Sequence, residues 1–205
     1  YSGDSFSVAS QDTQPFGLAF NTDGTKMYIL GGANKTVYQY SLDPRFNLKS
    51  ADYMGNSFNV NSQETFPQEV AFNNDGTKMY VVGRTADSVF QYTLSTAFDL
   101  STASYDSVSF GGQGEGALTG VRFSTDGTKM YFLGYISDRT YEINLSTAWD
   151  LSTASYNSVN YAHGGGGSAQ GLFFGAEGTK LYIVDVSADD VREHTLSTAW
   201  DLGTA

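Results

Sequence analysis

The residues able to do chemistry in this chain are few in kind. It has 205 residues, no Cys and two His, so thiolate nucleophiles, disulfides and thiolate metal sites are excluded. What remains is mostly oxygen chemistry, with 22 Asp and Glu against 11 Lys and Arg. Three acids, Asp12, Glu64 and Glu115, recur at matching places in polar loops. Carboxylates converging from separate loops are the ligands Ca²⁺ takes, although carboxylates in turns are usually solvated. His163 precedes a Gly run, residues 164–167, which reads as a flexible loop. It is not a phosphate cradle, because neither Gly-Lys-Ser/Thr nor a helical pattern follows. His194 stands where other copies of the same segment have Tyr40 and Tyr92, and reads as a packing substitution. No Gly-x-Ser-x-Gly, His-Glu-x-x-His or dinucleotide fingerprint is present. The sequon Asn34-Lys35-Thr36 lies in an expected turn and makes Asn34 a candidate glycosylation site.

The balance of charge narrows the partners. A net charge of −11 argues against nucleic acid and against anionic membrane surfaces, both of which need clustered Lys and Arg. No apolar run approaches the ~20 residues of a membrane-spanning helix, so no membrane insertion is expected. The chain opens on Tyr1 rather than Met, which reads as a processed or trimmed product.

The elements that position these residues come from an internal repeat. Asp23-Gly24-Thr25-Lys26-Met27-Tyr28 returns from Asp75, from Asp126 and, as Glu177-Gly178-Thr179-Lys180-Leu181-Tyr182, from Glu177, at spacings of 52, 51 and 51 residues. The repeats run 1–52, 53–104, 105–155 and 156–205, within one domain of residues 1–205. Each contains four strand-like runs. The first alternates small polar and apolar residues, as in Ser57-Phe58-Asn59-Val60. The second is a short apolar run: Gly17-Leu18-Ala19-Phe20, Glu69-Val70-Ala71-Phe72, Gly120-Val121-Arg122-Phe123 and Gly171-Leu172-Phe173-Phe174. The Asp-Gly-Thr turn then closes a hairpin whose Gly takes a positive φ, so Gly76→Val is expected to damage the fold. Two more strands follow, then a connector such as Leu94-Ser95-Thr96-Ala97-Phe98-Asp99-Leu100-Ser101-Thr102-Ala103.

Four short strands every ~50 residues predict an all-β fold, a β-propeller of four four-stranded blades. The chain begins with an outer-type strand and ends after a third-type strand. The phase therefore predicts a circle closed by residues 1–8 completing the last blade, which would bury two sheet edges.

The run from Pro15 through Asn21-Thr22-Asp23-Gly24-Thr25 to Ile29, followed by Val37-Tyr38-Gln39-Tyr40, resembles YVTN and NHL-type β-propeller repeats. The connector resembles that of tandem propeller repeats in secreted bacterial and phage-encoded proteins. This resemblance implies an extracellular, virion or cell-surface location.

Near-identical repeats place function in the loops that differ between copies. One loop face would carry Gln11, Asp12, Gln63, Glu64, Glu115, Tyr135, His163 and Gln170 as the candidate ligand-binding set. With no catalytic motif, the expectation is a non-enzymatic interaction or structural module that binds a glycan or protein surface, or copies of itself, through its loop faces. No cofactor is expected. The alternative is a Ca²⁺-dependent, lactonase-like propeller hydrolase.

Overall fold

The computed structural model describes residues 3–164 and 166–205. Its strands form four antiparallel sheets laid out as propeller blades. Blade 1 comprises β1 (Pro15–Phe20), β2 (Lys26–Gly31), β3 (Thr36–Ser41) and β4 (Asp52–Asn59). Blade 2 comprises β5 (Pro67–Phe72), β6 (Lys78–Gly83), β7 (Ser88–Leu94) and β8 (Ala103–Gly111). Blade 3 comprises β9 (Leu118–Phe123), β10 (Lys129–Gly134), β11 (Arg139–Leu145) and β12 (Ala154–Ala162). Blade 4 has β13 (Ala169–Gly175), β14 (Lys180–Asp185) and β15 (Asp190–Thr195). In each blade the strands lie in chain order, with β1, β5, β9 and β13 innermost and packed side by side in succession.

The repeated turn is built by its own residues. Asp23 Oδ1 accepts from the Thr25 amide at 2.9 Å and its hydroxyl at 2.6 Å, and Asp75 and Asp126 do the same with Thr77 and Thr128. These bonds, with Ser124 added at Asp126, hold the three carboxyls below their usual range. The acids of the repeat are therefore turn-formers.

The connector explains the glycine beside each of them. Phe46, Phe98, Trp149 and Trp200 take a left-handed backbone that tips the aromatic ring over the turn glycine of the same blade. A Cβ at Gly76, whose φ is +73°, would lie 2.3 Å from the Phe98 ring. Gly76→Ala is expected to cost about 2 kcal/mol from the left-handed backbone plus the overlap. Gly76→Val should cost more, and urea denaturation measures both. After the aromatic residue, Asn47, Asp99, Asp150 or Asp201 caps a single 3₁₀ turn.

Adjacent blades are joined by an aromatic contact that recurs at each junction. Tyr28, Tyr80 and Tyr131 pack, tilted, against Phe72, Phe123 and Phe174 of the following blade at 4.3–4.5 Å between ring centroids. Their hydroxyls donate to the carbonyls of Phe98, Trp149 and Trp200 at 2.8, 2.5 and 2.7 Å.

The expected closure of the circle is corrected by this arrangement. Tyr1 and Ser2 lie outside the described residues, and residues 3–8 pair with no strand. Phe6 and Val8 pack instead on Tyr40 and its neighbours in blade 1, and blade 4 keeps three strands. Leu18 shares a register with Val70, Val121 and Leu172, which are 1%, 0% and 2% exposed, yet Leu18 is 52% exposed because no blade covers it. The four blades form an open arc.

Candidate functional site

The loop acids are positioned by the turn between the second and third strands. That turn leaves backbone amides pointing inward, and each carboxylate caps those of its own blade. Asp12 accepts from the amides of Gln14 (2.7 Å), Ala33 (3.2 Å) and Asn34 (2.7 Å). Glu64 accepts from Phe66, Thr85 and Ala86 at 2.7, 3.1 and 3.0 Å. Glu115 accepts from Ile136 and Ser137 at 2.5 and 2.9 Å, and from the Tyr141 hydroxyl at 3.3 Å. In blade 4 the acid has moved to the end of β14, where Asp185 accepts from the Ser187 and Ala188 amides. All four are buried. They do not converge, and among the described residues no group of three or more Asp, Glu or His is placed to hold a metal ion.

The other sequence candidates are spread along the same face. Gln11 braces blade 1, its Oε1 accepting from the Tyr40 hydroxyl at 3.3 Å. Gln63 lies half-buried with its amide bonded to the Val60 carbonyl, and Gln170 is half-buried on β13. The Asn34 side-chain nitrogen, the atom a glycan would occupy, donates to the Gln11 carbonyl at 2.7 Å and to Tyr38 at 3.2 Å.

His163 is at the centre of a buried polar group. Its Nε2 lies 2.8 Å from Thr140 Oγ1, and its Nδ1 lies 3.5 Å from Asp138 Oδ1. The order hydroxyl, imidazole, carboxylate is that of a hydrolase triad, but Thr140 is 0% exposed and no substrate reaches it. Thr140 and His163 replace the Val37 and Val60 pair of blade 1, so the group is a polar patch in the core. Desolvation pushes the imidazole down to about 4, outweighing the pull of Asp138.

Two charged residues on the innermost strands were not singled out from the sequence. Glu69 on β5 reaches across to β9, where its Oε2 accepts from the Val121 amide at 2.9 Å and its Oε1 pairs with the Arg122 guanidinium. The other blades carry glycine at this register, Gly17, Gly120 and Gly171. A Cβ on Gly120 would lie 3.2 Å from Glu69 Oε2, so the glycine makes room for the carboxylate. Burial raises the Glu69 carboxyl above its usual range, against the lowering pull of Arg122. At the loop end of β6, the Arg84 guanidinium lies 4.0 Å over the Tyr135 ring and 5.8 Å from that of Phe66. A hydrogen bond from Ser168, then the charge of Arg84, lowers the Tyr135 phenol. Among the described residues, Arg84 forms no ion pair with a carboxylate.

No protein-family model and no curated protein matches the chain. Solved propellers do match. A protein of Bacteroides uniformis with the provisional name 6-phosphogluconolactonase superposes with a TM-score of 0.65 at 10% identity, over 89% of this chain and 50% of its own. A Bacteroides fragilis protein of the same provisional name gives 0.65 at 13% identity, over 98% and 55%. The periplasmic gluconolactonase of Pseudomonas aeruginosa gives 0.59 at 12% identity, over 89% and 50%. The likeness is one of fold, and the chain spans about half the length of these neighbours.

The expectation of a non-enzymatic module acting through its loop faces is corrected by these comparisons. The neighbours carry lactonase names, and the direction they give is the hydrolase alternative. The physical reason for the misreading lies in the strands. The charged pair sits inside runs taken for apolar core, while the loop acids taken for a display surface are turn caps.

Proposed function

We propose that this arc belongs to a lactonase-like hydrolase, with Glu69 and Arg122 as its reacting pair. The observation that carries the reading is Glu69 itself: a carboxylate of raised pKa on the innermost strand, touching a guanidinium that is one-third exposed. A base of raised pKa is better matched to taking a proton from water near neutrality. In the proposed step, water attacks the lactone carbonyl carbon and its proton passes to Glu69. Arg122 stabilises the oxyanion that forms. The ring C–O bond then breaks, and the leaving ring oxygen takes the proton back from Glu69. The product is the open hydroxy acid.

Arg84, seated between Phe66 and Tyr135, is the cation suited to an anionic group on the substrate, which favours a phosphorylated sugar lactone. Kinship to YVTN and NHL-type repeats and an extracellular, virion or cell-surface location belong to the same proposal, and a periplasmic neighbour is in keeping with secretion.

Titrating acid release from glucono-δ-lactone and its 6-phosphate tests the reading. The expected result is hydrolysis above the spontaneous rate, faster for the phosphorylated lactone and lost selectively in Arg84→Met. Rates equal to buffer for both lactones would overturn it.

A further inference from the structure

Blades 1 and 4 each carry a flank shaped for a neighbouring blade. On blade 4, Val184 and Val191 are 44% and 67% exposed, although their counterparts Leu30 and Val37 are both 0% exposed against blade 2. On blade 1, Leu18 and Phe20 are 52% and 37% exposed, although Val70, the counterpart of Leu18, is 1% exposed.

The two flanks hold opposite halves of the contacts that recur at all three junctions inside the arc. Tyr182 follows Tyr28, Tyr80 and Tyr131 in register, so its partners would be the Phe20 ring and the Phe46 carbonyl. Glu193 follows Gln39, Gln91 and Glu142, which accept the amides of Leu100, Leu151 and Leu202 at 2.9, 2.7 and 2.9 Å. Its partner would be the Leu48 amide.

The segment 3–8 adds a separate observation. Its Gly3 has φ +88° where the outer strand β4 has Gly55 at +80°. Phe6 meets Tyr40 edge-on at 5.6 Å, as Phe58 of β4 meets Tyr92 at 5.3 Å. Yet residues 3–8 pair with no strand, and β15 has no outer neighbour. In register, Phe6 would fall opposite Val191, as Phe58 lies opposite Val37.

We propose that a second copy of this chain covers each flank, head to tail, so that two arcs complete one propeller. Blade 4 of one copy seats on blade 1 of the other, and residues 3–8 of the second copy become the fourth strand of that blade 4. The occupant is a second copy because each flank matches the chain's own opposite flank, residue by residue, in continuity with three existing interfaces. The contact uses flanks and a strand edge, not loop faces. Its head-to-tail symmetry closes at two copies if the two flanks face each other across the arc.

Light scattering on the eluting protein tests this, and it is read separately from lactone hydrolysis, so either result stands without the other. The expected mass is twice the 22.1 kDa of one chain. Leu18→Asp and Val184→Asp should each halve it, with circular dichroism confirming folded blades. Mixing the two variants leaves one intact junction and should restore the pair. A wild-type mass of one chain at every concentration would overturn the proposal, as would masses climbing past two chains. So would a pair that survives either single variant, since that contact would be symmetric rather than head to tail. With Ser7→Cys and Asp190→Cys in one chain, oxidation should give linked dimers. A disulfide-closed monomer would mean the arc closes on itself, and would overturn the proposal too.

Discussion

Glu69→Gln is expected to lower kcat for lactone hydrolysis by about 100-fold or more, with KM little changed, which is the usual weight of a positioned general base. The amide keeps the shape of the side chain and can still accept the Val121 N–H, so the edge of β9 stays capped. What it loses is the capacity to take a proton and the charge that pairs with Arg122. The pair is partly exposed, so the effect on stability should be modest, about 1 kcal/mol. The pH profile separates a reacting role from a structural one. Wild-type activity should fall as pH drops through the raised pKa of Glu69, because only the ionised form accepts the proton. The variant's residual rate should lack that limb. A Gln variant with wild-type kcat would leave Glu69 as a sheet-edge cap and nothing more.

The second large effect is on stability. His163 is neutral in the folded chain down to about pH 4, whereas an unfolded histidine protonates near 6.5. Between these values the unfolded chain binds more protons, so stability falls as pH falls across that window. The full loss from His163 is about 3 kcal/mol. His194 is lowered too and acts in the same direction. Asp23, Asp75 and Asp126 do not confound the slope, because their lowered pKa values place their contribution below the window. Replacing Thr140 and His163 together by Val restores the apolar pair of blade 1 and should flatten the slope. Glu69, whose carboxyl is raised, opposes this slope equally in both proteins, so urea midpoints at pH 7 and pH 4.5 are compared between wild type and the double variant, and equal slopes in the two would refute the assignment.

The turn, the strands and the blade count were legible because one feature, the Asp-Gly-Thr hairpin, repeats with its aromatic connector. Closure was not, for a reason the flanks make plain. An unpaired first strand and an unfilled last blade are the same sequence pattern whether they meet within a chain or between chains; only the angle between blades decides. The acids Asp12, Glu64 and Glu115, read from the sequence as loop residues open to a ligand, bond to backbone amides of their own blades. Their regular recurrence was itself the signal, since a residue that returns with the turn is bracing the turn. Glu69 and Arg122 had the opposite signal, a charge standing where the other copies have glycine or an apolar residue. Reading their strands as continuous apolar runs hid it.

Each blade is fastened to itself by an aromatic ring over a glycine, and to its neighbours by a tyrosine layer and a Gln or Glu side chain. Such an array has no central keystone, and its strength is a chain of nearest-neighbour links. In a single arc the link at blade 4 is the weakest, since three strands and one neighbour hold it where blades 2 and 3 have four strands and two neighbours. In the Leu18→Asp variant, which should stay a single arc, amide exchange should therefore follow a gradient, with the protons of β14 and β15 exchanging first, and those of β6 and β10 persisting until the whole arc opens.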